Sequence, residues 1–415
     1  MRIAVLGAGV IGITTAYQLM RDGHAVTVID RESEAANFTS FGNAGLVTPG
    51  HAYAWASPRA PGMMLRSLYR GDQAIRFRPK LDLRQWRWTA DFLRQCTAER
   101  ARANTINKTR LCRYSQEVLG EVVAATGVTY DRREGGILYF YRSPQSFEPA
   151  AAKADLLRSQ GVEIQVLDRA AAIARDPGLG AAANQIAGAL FVPTDESGDC
   201  RKFTQGLAKV CADQGVVFRW HTKLTGLEAA GGEIARVLTD SAPVIADAYV
   251  VCLGVYASHL LGPLGIHLPI YPVKGYSLTI PATDVSALPR HGGVDEDNLL
   301  AYCPMGNRLR VTATAEIAGY SNAYTPSDFA VMTERAKKLF PTGLDYARAT
   351  HWAGLRPMTP TGMPVIDRSP YPNLWLNAGH GHIGWTMANG SARVLADLIA
   401  QRQPAIDQAG MRYGG

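Results

Sequence analysis

The chain has 415 residues and a mass of 44.8 kDa, more than one ordinary core accommodates, so two domains are expected. With 47% hydrophobic and 19% charged residues it has the composition of a globular protein, which excludes a disordered chain. The net charge of +7 is concentrated: residues 59–110 carry thirteen Lys or Arg against four Asp or Glu, leaving the remainder near neutral.

No apolar run approaches the roughly 18 residues that span a bilayer. The opening residues run directly into a glycine turn and read as mature structure, not as a leader. A cytoplasmic protein, soluble or peripheral on the inner membrane, is expected. The six cysteines are scattered with no C-x-x-C pair, which predicts reduced thiols and no metal site.

In chain order, Arg2 to Leu6 is a short apolar strand, Ile13 to Asp22 a helix closed by Gly23, and Ala25 to Ile29 a second strand ending at Asp30. That is one complete βαβ unit. Residues 31–62 read as an extended loop and 63–125 as helical, with a long helix over Asn104 to Thr126. From Thr129 the pattern turns to short β-rich runs such as Gly136 to Tyr141. A helix over Lys202 to Gln214 leads to a strand at Val216 to Trp220, and the strand Ala248 to Cys252 stops at Leu253-Gly254. Residues 266–315 alternate like antiparallel strands. The last signals are a strand at Asn373 to Asn377, a glycine-rich turn and a helix over Thr386 to Ala400.

Gly7-Ala8-Gly9-Val10-Ile11-Gly12 lies between strand and helix, with the acid Asp30 closing the next strand. The first glycine allows a tight turn, the second admits a pyrophosphate to the backbone, and the third lets helix and strand pack. The helix N-terminus offers free N–H groups and a positive dipole end to phosphates, and Asp30 is placed to accept from a ribose hydroxyl. This establishes a dinucleotide site without separating FAD from NAD. A second such pattern, Gly379 to Gly384, lacks a following strand that ends in an acid, so a second dinucleotide is not expected.

The βαβ unit, the loop Thr39-Ser40-Phe41-Gly42-Asn43-Ala44-Gly45, the run Gly354-Leu355-Arg356-Pro357-Met358-Thr359-Pro360 and the turn Gly379 to Thr386 form one set. Together they resemble the small subunits of D-amino acid dehydrogenases, within the D-amino acid oxidase-type flavoenzymes. The likeness extends from residue 1 to about residue 400. It implies an α/β fold: a discontinuous Rossmann-type FAD-binding domain (1–80, 195–260 and 350–415) and an α+β substrate domain with a mainly antiparallel sheet (81–194 and 261–349).

The resemblance places Gly7, Gly9, Val10, Ile11 and Gly12 at the pyrophosphate, with Asp30 and Arg31 at the adenosine ribose. Ser40, Asn43, Ala44, Gly45 and Leu46 fall along the ribityl chain and flavin ring, Leu224 meets adenine, and Gly254 is a further cofactor-binding residue. Gly381, His382, Ile383, Gly384, Trp385 and Thr386 close the pyrimidine side, where a helix dipole stabilises developing negative charge. Arg356 is expected to hold the substrate carboxylate bidentately. Tyr302 is a second carboxylate candidate, and Tyr53, His51, His382 and Trp55 are candidates to line the pocket.

The implied activity is oxidative deamination of D-amino acids, with hydride passing from the α-carbon to flavin N5 and electrons on to a quinone or electron-transfer acceptor. Alternatives on the same fold are a dehydrogenase of cyclic D-imino acids such as D-proline or D-hydroxyproline, an oxygen-using glycine- or sarcosine-type oxidase, and a non-catalytic flavin-binding subunit. An NAD-dependent dehydrogenase is the alternative from another class. Nucleic acid is not an expected partner. The stretch Leu81 to Arg94 mixes arginines with Trp86, Trp88 and Phe92. It fits either a helix packed on the core with a solvated face or an interfacial helix on anionic lipid.

Overall fold

A computed structural model describes residues 1–69 and 75–414. Arg70 and Asp72 of the basic stretch lie outside the described residues. Among the described residues two large sheets organise the chain.

The first sheet has six strands in the order Val365–Arg368, Leu374–Ala378, Ala248–Val251, Arg2–Leu6, Ala25–Ile29, Val217–Arg219. All pairs are parallel except Val365–Arg368 with Leu374–Ala378. Its inner strands are apolar throughout, as expected of strands covered on both faces (Ala4, Val5, Leu6, Val250 and Val251 are fully buried). The chain turns from Arg2–Leu6 to a neighbour on one side early and on the other side late, which opens a crevice at the strand ends.

Helix α1 (Val10–Arg21) and the helices Cys200–Asp213 and Gly384–Ile399 pack in one core with this sheet. Helix α2 spans Ala60–Ser67, α3 Leu83–Gln95 and α4 Ala98–Thr126. The Thr97 hydroxyl caps the N-terminus of α4, and Gly127 ends it in the left-handed conformation at φ +65°.

The second sheet runs Thr350–Met358, Tyr271–Pro281, Arg308–Ile317, Leu300–Met305, Gly292–Asp295, Ile137–Tyr141, Gly188–Val192, Gln165–Asp168, with Ile75–Phe77 beside Arg308–Ile317. It is antiparallel except where Gly292–Asp295 meets Ile137–Tyr141 and where Ile75–Phe77 joins.

Three sequence expectations are corrected. Thr350–Met358 belongs to the second sheet, so the division of the sheets does not fall at 350. Helix α4 contributes Leu111, Cys112, Val118, Leu119 and Val122 to the core of the first sheet, although its residues were assigned to the substrate domain. The β-rich reading from Thr129 omitted the helices Pro144–Arg158 and Arg169–Arg175. Pro149 inside the former and its alanine-rich, weakly two-faced sequence hide it from periodicity.

Candidate functional site

A cavity of about 850 Å³ is lined by residues of both sheets. At one end sits the glycine turn. Gly7 has φ +105°, and a Cβ there would lie 2.7 Å from the Cys252 carbonyl oxygen. A Cβ on Gly12 would fall 1.8 Å from the Gly7 oxygen. Gly12 therefore serves the packing of α1 and does not line the cavity, whereas Gly7, Gly9, Val10 and Ile11 do.

The Val10 N–H donates to Ser40 Oγ at 3.1 Å, tying the second flavin motif to the first. Asp30 anchors this end from within: its carboxylate accepts from the N–H groups of Ala8 (2.6 Å) and Glu32 (2.9 Å). Each oxygen keeps a further lone pair for a ribose hydroxyl. Arg31 lies 4.9 Å from the ring centroids of both Phe38 and Tyr256. Leu224, Leu253 and Gly254 complete the wall.

Along the middle, Asn43, Ala44 and Leu46 line the cavity. Gly45 does not: a Cβ on it would meet Met305 Cε at 2.2 Å and the Gly198 oxygen at 2.6 Å, so the position serves close packing. Thr386 is also behind the wall. Its hydroxyl accepts from the Thr48 N–H at 3.1 Å and holds the loop against the helix that begins at Gly384. Gly381, His382, Ile383, Gly384 and Trp385 line the cavity and present that helix N-terminus to it. Sequence reasoning missed Trp352, whose indole lies between Gly42 and Gly354; a Cβ on either would fall 2.0 or 1.9 Å from the ring. The signal was a glycine inside each of two separate motifs.

The far end is built on the second sheet. Arg356 pairs in register with Val273, which places its guanidinium over Gly275; a Cβ there would lie 2.4 Å from Cζ. Thr314, at φ +65°, is the extra residue where the pairing of Arg308–Ile317 with Tyr271–Pro281 slips. Its carbonyl accepts from Arg356 Nη1 at 3.2 Å, and that of Lys274 at 3.4 Å. Burial lowers the Arg356 pKa to about 10, and among the described residues no carboxylate pairs with it. A desolvated cation without a counter-ion at a cavity wall is a site for an anion.

His51 and His382 lie at this end with Tyr53 and Trp55. His51 Nε2 is 2.8 Å from Glu296 Oε1, and its ring stacks on Tyr139 at 5.2 Å. Burial disfavours the His51 imidazolium, but the Glu296 charge and hydrogen bond outweigh it and raise the pKa. His382 stacks on Trp55 at 4.4 Å, with Nε2 3.5 Å from Lys108 Nζ. Burial, then the charges of Lys108, His51 and Arg356, hold it neutral. Lys108 is itself buried, donates to the Tyr53 carbonyl at 3.1 Å, and has its pKa lowered by desolvation to about 8. Glu296 and Lys108 were not anticipated, nor was His380, which lines the cavity with its Nε2 3.0 Å from Ser391 Oγ.

Tyr302 is a correction. It is fully buried in the core of the second sheet, 5.0 Å from the Phe340 ring, and does not line the cavity; its neighbour Ala301 does. Alternate residues of a strand face opposite sides, so an alignment one residue off reverses the side chain.

These residues fit a flavin dinucleotide. The turn at Gly7 has no room for a Cβ, a helix N-terminus stands at each of two stations along the cavity, and Asp30 retains acceptor capacity.

The family model for FAD dependent oxidoreductases, DAO, matches residues 2–398. Among curated relatives, D-amino acid dehydrogenase 2 of Mesorhizobium japonicum is 46% identical over 416 residues, covering 100% of each chain. D-amino acid dehydrogenase of Cereibacter sphaeroides is 45% identical over 99% of this chain and 94% of its own. Among solved structures, glycine oxidase from Geobacillus kaustophilus shares the fold at a TM-score of 0.76 and 21% identity, covering 99% of this chain and 98% of that one. With its dinucleotide turn, two-sheet cavity and full-length relatives, the chain belongs to the DAO family of FAD-dependent oxidoreductases.

Proposed function

We propose that the chain oxidises the Cα–N bond of a D-amino or D-imino acid and passes the electrons to a quinone or other electron-transfer acceptor. The observation that carries this reading is Arg356: a desolvated guanidinium without a counter-ion in the same cavity as the dinucleotide turn. The D configuration is supported by the names of the relatives at 45–46% identity.

When bound, FAD supplies the two-electron acceptor for the α-hydrogen. The chain's own residues do the positioning. Arg356 fixes the carboxylate, and Gly275 lets the guanidinium lie flat on the neighbouring strand. Tyr53, Trp55 and His382 bound the side-chain space and exclude water.

The acceptor reading draws support from α2 and α3. The inner face of α3 buries Trp88 and Phe92, while Leu83, Trp86 and Leu93 point outward among the exposed Arg84, Arg87 and Arg94. Leu65, Leu68, Tyr69 and Leu81 are further exposed apolar side chains of residues 60–81. Met63, Met64, Trp88 and Phe92 of the same helices line the cavity. An apolar acceptor delivered from an anionic membrane fits such a face. No helix among the described residues is long and apolar enough to cross a membrane.

The deciding experiment is an anaerobic absorbance spectrum of the purified holoprotein before and after mixing with D- and L-amino acids, including D-proline and D-hydroxyproline. Bleaching of the flavin band by D-substrates is the expected outcome. Bleaching by none of them overturns the reading, and stoichiometric peroxide in air would favour an oxidase.

A further inference from the structure

The cavity carries a second charged device at the Arg356 end. Among the described residues lining it, the carboxylates are Asp30, Glu32 and Glu296. Asp30 and Glu32 belong to the glycine-turn end, which leaves Glu296 to face a substrate whose carboxylate rests on Arg356. An amino acid arrives as a zwitterion, so an anionic group in the same cavity as Arg356 completes a complementary pair.

Glu296 is also on the boundary of a second cavity. A chamber of about 40 Å³ lies behind it, and His51, Tyr53, Tyr139 and Glu296 line both spaces, with Tyr141 in the chamber alone. That volume suits one or two waters, which the polar atoms of His51, Tyr53, Tyr141 and Glu296 could hold against the apolar wall of Ile164, Leu190 and Val192. Tyr53 continues outward, its hydroxyl 3.3 Å from the Lys153 carbonyl at the surface. The hydrogen-bonded pair His51–Glu296 is thus part of the shared wall between substrate space and a water-sized chamber.

We propose that the His51–Glu296 pair takes the proton that the substrate's ammonium must lose before oxidation, and releases it through the chamber beside Tyr53 and Tyr141. This rests on the deamination reading above. In the step, the ammonium N–H bond breaks and its electron pair stays on nitrogen as the amine lone pair. The proton passes to the pair, which changes from carboxylate with neutral imidazole to carboxylate with imidazolium. The carboxylate's support of the imidazolium makes the pair a better base than a lone histidine. The groups facing the pair from other elements are Tyr139 and Tyr141 of Ile137–Tyr141, Asp195, Lys108 of α4, and His382. Asp195 is buried and its pKa raised to about 7 by desolvation, though it accepts from the Tyr139 hydroxyl at 2.5 Å and the Gly50 N–H at 3.0 Å.

The test is anaerobic stopped-flow bleaching of the holoenzyme by a D-amino acid across pH, for wild type, Glu296→Gln and His51→Asn. A pH-indicator dye follows proton release, and perturbation of the flavin spectrum by benzoate measures binding of a carboxylate without an amine. The expected result is an acid limb moved down by about one pH unit or more in Glu296→Gln, which lacks the anion that favours the imidazolium, and moved up by as much in His51→Asn, which has no imidazole to take the proton, with proton release slowed with bleaching in both and the benzoate Kd unchanged within about threefold. If one variant fails to load flavin, the other carries the test. An acid limb unaltered in the flavin-loaded variants overturns the proposal alone. A wild-type flavin bleached by no D-substrate overturns the deamination reading and the proposal with it.

Discussion

Gly275 and Arg356 act together across two strands, and only one of them was legible in the sequence. Arg356 stood out because it sits in a short motif. Gly275 is 81 positions away and acquires its meaning from strand register. Arg356→Ala is expected to weaken substrate binding by about 100-fold with flavin retained, as loss of a bidentate charged contact implies. Gly275→Ala, whose Cβ collides with the guanidinium, should weaken it by roughly tenfold; titration of the flavin spectrum checks both. His51 and Glu296 lie 245 positions apart, so their pairing had no local signature. Lys108 read as one more charge of a helix and is a buried cation. Its folded pKa of about 8 lies below the ordinary 10.5 of the unfolded chain. Between those values the unfolded chain holds a proton that the folded chain has released, so stability from this group rises with pH across that window. Below about pH 8 the full penalty applies, roughly 3 kcal/mol. Lys108→Met should therefore melt above wild type at pH 7, with the gap closing toward pH 10.

At the level of elements, the βαβ unit and the terminal helix were legible because each has a strong period and a glycine stop. Helix Pro144–Arg158 was not, since its apolar residues mark no clear stripe. Of the two readings of residues 81–94, α3 has the packed face, with Trp88 and Phe92 in the core, while the outward Leu83 and Trp86 are what the proposed lipid contact would use. A surface of this kind makes a direct prediction. Holoprotein should sediment with vesicles containing anionic lipid, less so as salt rises, and not with neutral vesicles. Leu83→Ser with Trp86→Ser should abolish sedimentation and leave bleaching by substrate intact; equal sedimentation of the variant would remove the lipid reading.

For the whole molecule, the site is a seam. Its lining comes from two sheets with largely separate cores, so a group bound there tethers one to the other. Removing FAD should lower the melting temperature, and free FAD at about 100 times its Kd should restore roughly 2.7 kcal/mol. Differential scanning of apo- and holoprotein checks this. The strand order has a further consequence, in time. Ile3 lies beside Ala248, and Ala248–Val251 in turn beside Leu374–Ala378. At about 5–20 residues per second, a ribosome leaves one edge of the first strand, whose other edge pairs with Ala25–Ile29, open for roughly 12–50 s before Ala248–Val251 is made. The nascent chain must keep Arg2–Leu6 from other partners through that interval, which makes it a natural client for a chaperone that binds at the exit tunnel.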